Sequence, residues 1–145
     1  MKSLLSTWQF WALGSAVFAA LTAILAKAGI GDTNADFATF VRTVVILLLL
    51  ACIVTVTQSW QSPSAVSPRS WIFLVLSGLA TGASWFCYFR ALKLGNAAQV
   101  APLDKLSVVL VAIFAVLFLG ERLSPTHWLA VSMIAAGAVL LTLRI

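Results

Sequence analysis

Five stretches of this chain are long, apolar and thinly charged. They run over about residues 8–27, 37–57, 71–92, 100–119 and 127–143, from Trp8, Phe37, Trp71, Val100 and His127 respectively. Each approaches the ~20 residues that a helix needs to cross the hydrocarbon of a bilayer at ~1.5 Å per residue. The fourth is the most extreme: from Leu106 to Leu119 it carries no charge, and its only hydroxyl is Ser107. None of the stretches alternates with a period of two, so an outer-membrane barrel is set aside. The expected architecture is all-α, an integral membrane bundle of five transmembrane helices in a single domain over residues 1–145.

Composition agrees with lipid as the main solvent. Charged residues make up 9% of the chain and hydrophobic ones 62%, against roughly 25% charged in a soluble domain. The net charge of +5 comes without basic runs. It therefore bears on membrane orientation and anionic headgroups, and no nucleic-acid partner is expected. Cys52 and Cys87 fall inside apolar stretches and read as small hydrophobes. His127 has no Cys or His at ligand spacing, so no metal and no cofactor is expected. The apolar core at Ala12–Ala26 is long for a signal peptide and is read as a retained helix.

The connectors carry helix punctuation. "TNAD" (Thr33 to Asp36) reads as a capping box, while Ser67 and Ser124 each precede a proline suited to a first helical position. Gly95 is placed to end the third helix and Asn96 to cap the fourth. Trp8, Trp11, Trp60, Trp71 and Trp128 lie near the expected ends, where interfacial aromatics gather.

Charges within the apolar stretches are the candidate functional groups, because each has a cost in the membrane. Asp104 sits about 6 Å into the fourth stretch at ~1.5 Å per residue. Lys105 can snorkel from that depth, whereas the shorter Asp104 cannot. Neighbours on a helix point ~100° apart, so the two are not expected on one face. Arg42, at similar depth in the second stretch, is a possible partner for Asp104. Two readings stay open: a charge pair that sets helix depth, and a titratable gate or substrate contact at one mouth of a cavity. Glu121 and Arg122 close the other end of the fourth stretch. In the third stretch, Gly78 and Gly82 stand four apart and allow close helix approach, as does Gly137 in the small-residue-rich fifth. Trp85 and Tyr88 follow on overlapping faces, each an apolar body with one polar handle suited to an organic ligand or to packing at the interface.

Five crossings place the termini on opposite sides. Lys2, Arg69 and Arg122 mark the first side; Lys27, Arg90, Lys93 and Arg144 mark the second, with Arg42 and Lys105 further in. That weak bias favours the N-terminus outside and leaves insertion in both orientations open.

The stretch "YFRALKLGNAAQVAPLDKLSVVLVAIFAVLFLGERLSPTHWLAVSMIAAGAVLLTL" resembles the second half of an EamA domain of the drug/metabolite transporter superfamily. The "LGE" helix ending and the small-residue-rich fifth stretch carry the likeness, which extends to the five-helix layout across nearly the whole chain. The family's helix-end Glu falls on Glu121 and its helix-opening Pro on Pro102. The resemblance implies a multi-pass protein of the inner (cytoplasmic) membrane that transports a small organic substrate, with export the commoner task. Family members typically carry two five-helix repeats of opposite orientation, and one is present here. Alternating access would then need a homodimer, an antiparallel one included, or a related five-helix partner. Two other readings remain: a subunit of a lipid-linked carrier flippase, and a non-transporting regulatory subunit. No nucleophile–base pair or phosphate-cradling loop points to an enzyme, so no catalytic residue is assigned.

Overall fold

The computed structural model describes residues 7–142. Lys2 and Arg144, which count toward the side assignment, and the last residue of the fifth expected helix, Leu143, lie outside them. The elements are α1 (Trp8–Ile30), α2 (Ala35–Val56), α3 (Pro68–Leu94), α4 (Ala97–Asp104), α5 (Ser107–Phe118) and α6 (Pro125–Leu140), with a short 3-10 turn at Pro63–Ala65 between α2 and α3. α1, α2, α3 and the combined span Ala97–Phe118 are each long and apolar enough to cross a membrane, and α6 is a shorter apolar helix of 16 residues. The protein is a helical, multi-pass membrane protein.

Each boundary has a local cause. The chain leaves α1 through Gly31, whose φ of 33° a residue with a Cβ adopts only with strain, and the Thr33 N–H closes this turn on the Ile30 carbonyl at 2.7 Å. The cap of α2 is Asn34 rather than Thr33: its side-chain oxygen accepts from the Asp36 N–H at 2.8 Å and the Phe37 N–H at 3.3 Å. Asp36, expected to close a capping box, is thereby freed for a partner on another helix. Ser67 and Ser124 cap α3 and α6 ahead of Pro68 and Pro125. At Ser124 the box is completed by His127, whose Nδ1 lies 3.4 Å from the Ser124 N–H. Gly120, at φ 69°, ends the fourth span and turns the Glu121 N–H back to the Ala115 carbonyl at 3.1 Å.

The fourth span departs from the single helix expected over 100–119. It begins at Ala97, so Pro102 is its sixth residue rather than a member of the first turn. At that position the missing N–H would otherwise bond the Ala98 carbonyl. The chain then tightens: Lys105 N–H bonds Pro102, Leu106 N–H bonds Leu103 and Val108 N–H bonds Lys105, all three residues back. The span is therefore α4 and α5 joined by this tight turn.

The described residues form two compact units, residues 25–94 in one and residues 7–24 with 95–142 in the other. In the first, α2 packs on α3. Ile30, Ala35 and Phe89 form its core, flanked by Ala26, Ala38 and Tyr88, and Leu92 is fully buried. In the second, α6 packs on both α4 and α5, and Ala115 and Ala138 are its small buried residues on α5 and α6. Most large apolar side chains remain outward, Leu47 and Leu48 among them. A helix apolar on all sides has this surface where lipid is the solvent.

Candidate functional site

The two units hold separate groups of candidate residues. In the first unit, the start of α2 and the end of α3 lie together. Arg90, one turn before the end of α3, donates to Asp36 through two bonds, Nε to Oδ1 at 3.1 Å and Nη2 to Oδ2 at 3.0 Å. This parallel fork is the strong geometry for a guanidinium and a carboxylate. Two lysines complete the end: Lys27 Nζ donates to the Leu92 carbonyl and Lys93 Nζ to the Thr33 carbonyl, each at 2.6 Å. Cations here meet carbonyls that the helix C-terminus and the turn leave available.

Arg42 lies deeper, as the eighth residue of α2. Its guanidinium carbon stands 4.3 Å from the Trp85 ring centroid and 5.5 Å from that of Phe89. Trp85 and Phe89 are four apart on α3 and so share a face. Tyr88, one residue before Phe89, packs against the core. Three expected residues, Arg42, Trp85 and Tyr88, thus fall in one region between α2 and α3. A second stack runs alongside: the Arg90 guanidinium carbon is 4.1 Å from the Phe86 ring centroid.

In the second unit, Asp104 ends α4 and Lys105 occupies the turn after it. Their side chains were not expected on one face. The tight turn and the long lysine bring Asp104 Oδ2 and Lys105 Nζ to 3.8 Å, with both side chains more than a third exposed. Asp104 pairs with Lys105 within this unit, and Arg42 stacks on Trp85 within the other. Glu121 follows the Gly120 turn at the far end of α5 and is exposed. Gly78, Gly82 and Gly137 have no heavy atom within 4 Å of where a Cβ would stand, so their faces are open within the described chain. Among the described residues, no three His, Cys, Asp or Glu side chains gather as metal ligands would.

Reading the sequence missed the Asp36–Arg90 pair. Its signal was present: Asp36 opens one helix and Arg90 closes the next, so the two fall on the same side of the membrane.

Comparison with known proteins identifies the fold's relatives. The EamA-like transporter family matches residues 6–143. A Sinorhizobium protein described as an uncharacterized transporter in the cobO 3'region is 67% identical over 135 residues, which cover 93% of this chain and 96% of that one. An uncharacterized transporter of Vibrio cholerae is 25% identical over 92% of this chain, but the match spans only 42% of its own length. The probable 4-amino-4-deoxy-L-arabinose-phosphoundecaprenol flippase subunit ArnE of Proteus mirabilis is 26% identical over 68% of this chain and 93% of its own. No solved structure matches. The matched family, the similarity across almost all of the Sinorhizobium transporter and the multi-pass helical fold agree on a transporter: the chain belongs to the EamA-like transporter family.

Proposed function

We propose that this protein carries small organic metabolites across the cytoplasmic membrane, chiefly outward, by alternating access between two five-helix units. The observation that carries this reading is the pair of matched lengths. The chain aligns with 96% of the Sinorhizobium transporter but with 42% of the Vibrio one, which leaves room in the longer relative for a second unit of this size. Transporters built from inverted repeats change access by exchanging the conformations of two similar halves around a site at their interface. A second copy in the opposite orientation, or a related five-helix chain, supplies the other half. Within each chain, Arg42, Trp85 and Tyr88 on α2 and α3, and Asp104, Lys105 and Glu121 about the ends of α4 and α5, are the pathway candidates.

The test fixes the orientation. Adding lysines beside Arg69 biases insertion one way, and adding them beside Lys93 biases it the other. Each fixed variant alone should transport poorly, and co-expression of the two should restore transport. Full transport by either fixed variant in single-component vesicles contradicts the antiparallel homodimer.

A second reading has its own support in the similarity to ArnE, described as a flippase subunit. Under it, the chain works with a different five-helix partner on a lipid-linked carrier. Co-expressed fixed copies would then fail to restore activity, and a labelled polyprenyl phosphate would exchange between leaflets only when that partner is present.

A further inference from the structure

Two arginines of the first unit lie against aromatic rings of α3, and they differ in one respect. Arg90 covers Phe86 and spends two donors on the Asp36 carboxylate. Arg42 covers Trp85 and Phe89, and among the described residues its guanidinium makes no hydrogen bond or ion pair. A guanidinium has five N–H donors in a fixed fork and stays charged at any physiological pH. Arg42 stands about 10 Å along α2 from its start, at ~1.5 Å per residue. A charged group at that depth is costly unless something pairs with it. The aromatic rings hold the guanidinium plane in place and cover one face. Tyr88 is its electrostatic neighbour, and among the described residues no carboxylate takes its fork as Asp36 takes that of Arg90.

We propose that Arg42, stacked on Trp85 and Phe89, is a binding site for the oxyanion of an amphipathic organic anion, a carboxylate or a phosphate. The fork matches either group bidentately. Trp85, half-buried beside it, offers apolar surface to the rest of the molecule. The same chemistry comes from a water-borne substrate or from the headgroup of a bilayer lipid. The inference deepens the transport reading by naming a substrate class. It is tested at equilibrium, so failure here leaves alternating access standing, and failure of transport leaves the site standing.

The full chain is purified in a phosphate-free maltoside detergent and titrated with octanoate, octyl phosphate and the neutral control octanol. Saturable binding of both anions is expected, at least tenfold tighter than octanol. Arg42→Gln should abolish that preference. Arg42→Lys keeps the charge but loses the fork, and should weaken octanoate several-fold; Trp85→Leu should do likewise, and these two carry the test if Arg42→Gln does not fold. Competition by phosphatidylglycerol against octanoate identifies a lipid headgroup as the source of the anion, and its absence identifies a water-borne one. Wild-type octanoate affinity in both Arg42→Lys and Trp85→Leu would overturn the site.

Discussion

Leu92 is fully buried, its backbone carbonyl accepts from Lys27, and Phe89 sits one turn away in the core of the same unit. Truncating such a side chain removes contacts that the surroundings do not replace. Leu92→Ala should lower stability by about 2–4 kcal/mol, and Leu47→Ala, on a lipid-facing position, by far less. Thermal unfolding in detergent checks the order, and equal losses would mean that the α2–α3 contact is not the core. The Asp36–Arg90 fork gives a second residue-scale expectation. Asp36→Asn and Arg90→Gln should each lower the midpoint, and the charge-swapped double variant should recover most of the loss. Asp104 behaves differently: both pairs are exposed, but Asp104–Lys105 is a single contact at 3.8 Å without the two-bond fork, and such a pair adds only ~0–1 kcal/mol. Asp104→Asn should therefore fold normally. If this acid gates a proton-coupled step, the variant should lose accumulation against a gradient and keep passive exchange. Driven transport at the wild-type rate and pH dependence would remove Asp104 from the mechanism.

At the scale of elements, the positions of the helices were legible because apolar length and Ser-Pro starts are local signals. Pro68 and Pro125 open α3 and α6 as their serines indicate. What escaped is what depends on rotation and on small shifts of the start. Moving the fourth span's first residue from Val100 to Ala97 turns Pro102 from a harmless first-turn proline into an interior one, and the span divides at Lys105–Leu106. Asn34 in place of Thr33 as the cap leaves Asp36 available to Arg90. Charge pairing across helices follows from which faces meet, which no single helix's sequence states. Pro102→Ala restores a donor for the Ala98 carbonyl, so α4 and α5 should merge toward one straight helix. Distances between spin labels at Asn96 and Phe118 should lengthen, and an unchanged distance would show that Pro102 is not the cause of the break. The Gly78 and Gly82 face is open within the chain. Leucine at either position should leave the monomer's fold intact. It should weaken pairing with a second unit by about 1–3 kcal/mol if that unit packs there. Normal assembly by both variants would assign this face to lipid.

For the whole molecule, we propose that two five-helix units of opposite orientation form the transporter. Cations on the two sides number six and three at most, a bias too weak to compel one orientation. The matched lengths supply the other half of the argument: one unit here, and room for a second in the Vibrio relative. Ser64 is exposed in the 3-10 turn between α2 and α3, outside the apolar spans, and so reports which side of the membrane that connector occupies. The direct measurement replaces Cys52 and Cys87 with serine, introduces Ser64→Cys, and labels cells with a membrane-impermeant maleimide before and after opening the cytoplasmic side. Opposed units predict that about half of the cysteines react from outside and the remainder only after opening. Labelling from one side alone, in a variant that transports at the wild-type rate without a partner chain, would contradict the account.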